Sequence, residues 1–578
     1  MSKLFSRNAL AVLALVFPAA ALAQPVVNAV INNFSGELPG LPSYGIAPAS
    51  LFVIYGSHLC DDVPLVTQTS AGSGLPTTLN GMSISVIVNG VTTNPAIYYA
   101  IPTQVAAVLP STTPSGSGTI TVNYKGSTSA PLLVTKSAFG ILTLNLTGAG
   151  GVKATNLQYE DITPTASAAP GQTIILWGSG LGADTANDDR SYPMKQDNLK
   201  NATVYIGGVK ADVLYAGRSL FPGEDQIDVT VPSLGASSAF RSAKGKGHDA
   251  ASASSLDLQQ ALNWEEEGDS GFQAGCENAI VVVANGIASN FGTLPVNPGN
   301  GVCSDALYGI NGTELSQTGS QGTVKGGTLS LFQGTQPAQN SDVSHTNPEA
   351  QSFKTLEYAS AMFSSTTGAS FVGGSSYLSL GNCIVSLPAN ISGLPGTVNG
   401  LDAGTSIGLA GGSLSVQLTE PPKTVGSYDA LLTSPLGGGT AYTFTGPGGK
   451  KVGPFKVTIT FPVPVTWTNK SSISTVAESQ GQLITWTGGA TGSFMYISGN
   501  SMTSPPVGVV PQTVSFACNV PVVEQQFTIP SYVLEALPKG SGQLTVFNEA
   551  NPVSFSATGL DGGRVVAGSF TQTDVIYQ

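Results

Sequence analysis

The sequence predicts an all-β protein made of tandem immunoglobulin-like β-sandwiches. Three observations carry that prediction. A stretch, "IAPASLFVIYGSHL" (46–59), returns as "AAPGQTIILWGSGL" (168–181). Strand-like runs such as "GTITVNY" (118–124) alternate apolar and polar residues and end at glycine turns, the period that lines one face of a strand. Composition is the third: 71 Gly and 37 Pro punctuate a chain in which only 10% of residues are charged, against about 25% in an average soluble protein. A mean hydropathy of +0.16 supplies apolar residues for cores and argues against disorder, which needs low hydrophobicity with high charge.

The repeat extends beyond its glycines. Pro48 and Pro170 stand 122 positions apart, and so do "TQVAAVLP" (103–110) and "DQIDVTVP" (225–232). "VNGVTTNPAIYYA" (88–100) is echoed by "IGGVKADVLYA" (206–216), and Gly126 is matched by Gly286 at a spacing of 160. One motif order found twice means a duplicated unit; the longer last spacing means an insertion of 38 residues in the second copy. The repeated aromatic position, Tyr55 and Trp177, is expected to plug each core, because large aromatics dominate core burial.

The domains follow. Residues 1–23 read as a signal peptide, with Lys3 and Arg7 before an apolar run and Ala21 and Ala23 at the cleavage site. Residues 24–140 form sandwich one and 141–303 sandwich two, with an inserted loop at 233–274. Residues 304–353 read as a linker or irregular region, being polar and glycine-rich. A third β unit is expected over 354–462 and a fourth, immunoglobulin-like, over 463–578. No later run is long and apolar enough to cross a membrane as a helix. The expected location is therefore exported: periplasmic, outer-surface or extracellular.

Net charge is −12, or −14 once Lys3 and Arg7 are removed. Basic clusters are absent, so nucleic-acid binding has no electrostatic footprint. The five cysteines of an exported chain read first as disulfides. Cys276 and Cys303 flank one apparent hairpin and are paired; Cys383 and Cys518 are then paired across the C-terminal half. Cys60 is left as a free thiol or an intermolecular bridge.

The search for chemistry yields no catalytic constellation. His58, His248 and His345 are scattered. "GSGLGA" (178–183) is expected to be turn punctuation, with Gly supplying positive φ, because no βαβ unit surrounds it. "GADTANDDRS" (182–191) places Asp184, Asn187, Asp188 and Asp189 in one loop. Oxygen-rich loops bind Ca2+, and a solvated acidic loop is the alternative. In the insertion, Trp264 beside Glu265, Glu266 and Glu267 suggests a recognition loop on a rigid sandwich; a plain surface loop is the alternative. Trp467 and Trp486 would serve a carbohydrate site if exposed, but their strand-like settings favour burial.

The motif order from "GIAPASLFVIYGSHL" through "LPTTLNGMSISVIVNG", "GILTLNLTGAGGVKATN" and "GCENAIVVVANGIASN" to "VCSD" resembles the repeated β domain of secreted acidobacterial proteins, the Solibacter-type C-terminal domain. The resemblance covers about residues 28–305. In the C-terminal half, "LDAGTSIGL", "FTGPGGKKVGPF" and "TWTNKSSISTV" are similar to a segment common in such secreted proteins. The 38-residue insertion and Cys60 depart from the pattern. The resemblance implies TIG/IPT-like immunoglobulin sandwiches on an exported protein and carries over no catalytic residue. The functional expectation is a non-catalytic exported protein acting in surface structure, adhesion or ligand binding, with a protein or glycan partner at the cell surface. A carbohydrate-binding or carbohydrate-active secreted protein is the alternative.

Overall fold

The structure is a computed structural model that describes residues 24–184, 189–234, 273–305, 310–313, 315–316, 323–337, 353–368, 378–379, 381–387, 396–503 and 511–578. It is an all-β protein with immunoglobulin-like sandwiches, as the sequence predicts.

The first sandwich packs two sheets. One orders Val26–Asn32, Leu51–Ser57, Gln104–Val108 and Ala96–Ile101; the other orders Thr78–Leu79, Met82–Val88, Gly116–Asn123 and Ser127–Val134. Phe52, Ile54, Ile84, Val86, Ile120 and Val122 meet between them. In the second sandwich, Leu51–Ser57 becomes Thr173–Ser179. Both copies close with a parallel bridge from the segment before this strand to the last strand, Ile46 to Val134 in one and Ala168 to Val296 in the other. The copies differ in how their layers join. The ten-residue strand Val209–Arg218 pairs with Ala202–Ile206 at one end and Asp225–Thr230 at the other, which joins the two layers into one sheet. The matching stretch of the first copy is split into Val91–Thr93 and Ala96–Ile101, because Pro95 lacks the N–H a ladder needs.

The glycines of the repeated stretch have a different role from the one expected. Gly56 and Gly178 lie inside their strands. A Cβ on Gly56 would lie 2.0 Å from the Val26 carbonyl oxygen, and one on Gly178 would lie 2.2 Å from the Phe139 ring. They are small because a crossing segment passes over them. Positive φ belongs instead to Gly180 and Gly182, at 117° and 120°.

Tyr55 and Trp177 are not core plugs. Tyr55 is 39% exposed, and Trp177 is partly exposed beside Tyr159, with ring centroids 6.2 Å apart. Period two explains this: Phe52 and Ile54, like Ile174 and Leu176, take the inward positions, so the odd-numbered aromatics face out.

The C-terminal half is built on one fused sheet carrying two cores, with a separate three-stranded sheet (Val465–Trp467, Gln482–Gly488 and Gln526–Ile529) contributing to the second core. Its path runs Cys383–Ser386, Thr513–Pro521, Phe494–Met502, Gly540–Glu549, Gly562–Tyr577, Thr323–Pro337, Phe353–Gly368 and Ser427–Leu431, then on to Phe455–Thr460. The sixteen-residue strand Gly562–Tyr577 is the seam. Gly562–Thr571 runs parallel to Gly326–Thr335, while Gly568–Tyr577 runs antiparallel to Gly540–Glu549. Its Val565 and Ala567 join one core with Leu329, Leu331, Phe363 and Tyr428. Its Val575 and Tyr577 join the other with Trp467, Trp486, Ile497 and Phe516.

Two boundaries change as a result. Residues 304–353 are not simply a linker, since Thr323–Pro337 is a fifteen-residue strand in the middle of the sheet. Its glycines and threonines concealed it, because only Leu329 and Leu331 reach the core. The division at 462/463 is not a clean one either, because the chain returns at Gly562 to complete the earlier core. Cys383–Ser386, expected in the third unit, is the edge strand of the fourth unit's sheet.

The halves are tied by buried polar and aromatic contacts. Tyr205 stacks on Tyr532 at 4.2 Å. The Asn382 side chain accepts the Ala279 N–H at 2.8 Å, while its backbone carbonyl accepts the Asn519 N–H at 2.9 Å. Buried Asn groups so satisfied fix register between packed units.

Candidate aromatic binding face

The fused sheet turns its even-numbered residues on Thr323–Pro337, Phe353–Gly368 and Gly562–Tyr577 away from the cores. Register then aligns them. Tyr496 lies opposite Phe547, Phe547 opposite Phe570, and Phe332 opposite Tyr358. Tyr358 lies opposite Leu431. The rings touch in sequence: Tyr496–Phe547 at 5.8 Å, Phe547–Phe570 at 5.2 Å, Phe547–Phe332 at 6.1 Å and Phe332–Tyr358 at 5.6 Å. These separations are those of favourable aromatic pairs. All five rings are partly exposed.

Two glycines make the row possible. Gly568 lies opposite Phe332 on one side and Glu549 on the other, so Phe332 reaches Phe547 diagonally past a position with no side chain. A Cβ on Gly334 would fall 2.5 Å from the Phe570 ring. At about 4.8 Å between strands, the five strands from Tyr496 to Tyr358 set out a row roughly 19 Å long.

A cleft of about 440 Å3 opens over three of these rings, Tyr358, Phe547 and Phe570, and is lined also by Leu431, Gln336 and Gln572. Leu431 is 74% exposed at its rim. Asp429 and Thr545 also line it. The Gln572 carboxamide donates to Gln543 at 2.9 Å. Glu549 flanks the row, two residues beyond Phe547 and opposite Gly568. Burial pushes its carboxyl up to about 7, with the Arg564 cation opposing. Burial and the nearby Glu549 raise the Tyr496 phenol to about 12, and the same two causes raise Tyr358. Both phenols are thus neutral hydroxyls that donate hydrogen bonds at ordinary pH.

This face was not legible in the sequence. Its residues come from five strands between Phe332 and Phe570, and Thr323–Pro337 was read as linker. The available signal was alternation within "SLFQGTQ", "LEYASAMF" and "QLTVFNE", with aromatics on the half-period opposite the aliphatic residues.

The residues singled out from sequence fall elsewhere. Cys276–Cys303 and Cys383–Cys518 are disulfides, as expected. The second joins directly opposed residues of neighbouring strands. Cys60 is a free, buried thiol, 3% exposed within the first core. It donates to the Asp61 carbonyl at 3.2 Å, and burial with Asp61 and Asp62 nearby pushes it up to about 11. Its burial leaves no route to an intermolecular bridge, and its raised pKa leaves little thiolate.

Of the acidic loop, Asp184 and Asp189 are buried, while Asn187 and Asp188 lie outside the described residues. The Asp189 carboxylate accepts both the N–H and the hydroxyl of Ser111, each at 2.6 Å. It therefore joins the two sandwiches rather than facing solvent with its lone pairs free. Among the described residues, no three His, Cys, Asp or Glu side chains converge as metal ligands. Trp264, Glu265, Glu266 and Glu267 lie outside the described residues. Trp467 and Trp486 are buried at 7% and 1%, opposite one another on neighbouring strands, so neither serves a surface site. Among the described residues, no helix is long and apolar enough to cross a membrane.

No family model matches the chain, and no curated protein does. Solved structures give distant likenesses. SGBP-B of the Bacteroides ovatus mixed-linkage glucan utilization locus, solved with a mixed-linkage heptasaccharide, is 13% identical with a TM-score of 0.17, over 44% of this chain and 45% of that one. The plexin A4 extracellular region is 9% identical with a TM-score of 0.14, over 46% of this chain and 17% of that one. The ICAM-5 D1–D4 ectodomain fragment is 9% identical with a TM-score of 0.11, over 96% of this chain and 100% of that one. The matches to the first two span less than half of those chains.

Proposed function

We propose that the chain is a non-catalytic exported protein, of the Solibacter-type secreted group, that binds an extracellular ligand on the aromatic face of its fused sheet. The single observation behind this reading is the row of five partly exposed rings, three of which line a cleft. A soluble protein seldom leaves contiguous apolar surface open without a use for it. Concave, largely apolar sites with a few placed polar groups are the usual form of a ligand site. Two disulfides support an oxidising compartment outside the cytoplasm. The sandwiches behind the sheet act as a rigid mount.

The test is adsorption of the purified chain to insoluble envelope and extracellular-matrix fractions, compared with a Phe547→Ala/Tyr358→Ala variant. Wild type should be retained and the variant should not, while the fraction releases no soluble product on long incubation. Equal retention of the two proteins would overturn the assignment of the face. Steady release of product would overturn the non-catalytic reading.

A further inference from the structure

We infer that the ligand of this face is a neutral, linear glycan that lies across the strands. This inference rests on the reading of the aromatic face as a binding site and adds the chemistry of its occupant.

The geometry favours ring-shaped, two-sided ligand units in a line. The rings of Tyr496, Phe547, Phe570, Phe332 and Tyr358 follow one another from strand to strand, so the row runs perpendicular to the strands. A peptide that extends a sheet pairs with an edge, along the strands, and uses backbone groups; this site is a face, and its contacts are side chains. A pyranose has an apolar C–H face that stacks on aromatic rings and an edge of hydroxyls that needs donors and acceptors. The cleft supplies both kinds of surface. The Gln336 carboxamide and the Asp429 carboxylate line it, and neither has a hydrogen-bond partner within the protein among the described residues. An alkyl chain would leave those groups unsatisfied, at the cost of desolvating them.

Charge decides between neutral and anionic polymers. Asp429 stands at the cleft. Glu549, two residues beyond Phe547 on the same strand, flanks the row on one side, with Arg564 as its counter-charge. Asp574, four residues beyond Phe570 on its strand, flanks the other side, bonded to the Gln543 carboxamide at 3.2 Å. The whole chain carries −12. Uronate, sulfate or phosphate groups would meet like charges at the cleft and along both flanks of the row, and like-charge juxtaposition suppresses wrong partners. Nucleic acid, which also stacks on aromatics, is refused for the same reason.

The experiment is affinity electrophoresis of the full chain in gels that contain a soluble mixed-linkage glucan, a galactomannan, polygalacturonate or heparin. Wild type, Phe547→Ala/Tyr358→Ala and the milder Gln336→Ala are run together. The expected result is retardation by at least one neutral polymer and by neither anionic one, with the double variant at least tenfold weaker and Gln336→Ala intermediate. Retardation by an anionic polymer that the double variant loses would overturn neutrality and leave the binding face standing. Retardation by no polymer, while envelope material still adsorbs through the face, would overturn the glycan. Retardation that neither variant weakens would overturn the face itself. Gln336→Ala removes no apolar contact, so its effect is separable from misfolding of the double variant.

Discussion

The two halves of the molecule use the same sandwich architecture and leave opposite kinds of surface. In the N-terminal half, two copies of one unit meet through buried polar groups. Asn32 donates to the carbonyls of Ala138 and Ser179 at 2.9 and 3.0 Å, and the Ser179 hydroxyl accepts the Leu51 N–H while donating to Gly223. Within the second copy, behind the Gly180–Leu181 turn that faces this junction, the Asp225 carboxylate accepts the N–H groups of Gly180 and Leu181 at 2.7 and 2.8 Å and pairs with Arg218, both side chains fully buried. In the C-terminal half, two units meet by sharing strands. Fusion satisfies the backbone through the ladder itself, so no polar side-chain network is needed at the seam, and the outward side of the widened sheet becomes one continuous surface. Duplication with docking uses up polar groups on a junction; fusion frees a face.

The sharpest way to break this contrast is to attack the buried ion pair that supports the N-terminal junction from within the second copy. Arg218→Ala leaves Asp225 charged and buried without its partner. The expected loss is about 3–5 kcal/mol, the range for breaking a buried pair, read by denaturant unfolding. Arg218→Met with Asp225→Leu should recover much of that loss, since apolar replacement of both partners of a buried pair is often neutral. If Arg218→Ala changed stability by less than 1 kcal/mol, the pair would not be what holds the Gly180–Gly182 turn against the junction.

A smaller effect tests where the two halves touch. Glu37 is 4% exposed, its neighbours Leu38 and Leu41 pack into the C-terminal core, and burial pushes its carboxyl up to about 7 despite a bond from Ser43. A carboxyl raised in the folded state favours folding fully below its unfolded value near 4.5, and that contribution is lost as pH rises through about 7. At about 1.36 kcal/mol per pKa unit, the fall between those limits is about 3 kcal/mol. Glu37→Gln should flatten that part of the stability profile between pH 4.5 and 8. An unchanged profile would show that Glu37 is solvated.

Legibility followed the same division. The duplicated half was readable because one copy explains the other: the spacing of 122 between Pro48 and Pro170 predicted the matched strands Leu51–Ser57 and Thr173–Ser179. Even there, Tyr55 and Trp177 were misplaced, because size argues for burial while strand period decides the side. The fused half offered no internal copy. Thr323–Pro337 has few apolar residues, since its neighbours on both sides bring the rest of the core. Its partner Gly562–Tyr577 lies more than two hundred positions later and pairs in parallel, so no hairpin signal announced it. The aromatic face, built across that long-range pairing, stayed hidden with it. The disulfides were readable from compartment and elimination, and the structure adds that Cys383 pins an edge strand of a sheet it had not been assigned to.

The smallest expected effect sharpens the contrast most directly, because it compares an outward aromatic from each half. Tyr55 is exposed on a sheet face of the first sandwich, and the partial exposure of Phe570 places it on the fused sheet. Tyr55→Thr keeps strand propensity and removes a ring that belongs to no row, so stability should move by no more than about 0.5 kcal/mol, as for ordinary surface positions. Polymer retardation should not move at all. Phe570→Thr also keeps strand propensity, but it removes the ring that packs against Phe547 at 5.2 Å and covers Gly334. It should cost about 1 kcal/mol from the lost aromatic pair and weaken retardation several-fold. Equal effects of the two substitutions on retardation would mean that the fused sheet has no privileged face, and that outward aromatics in this chain are incidental wherever they fall.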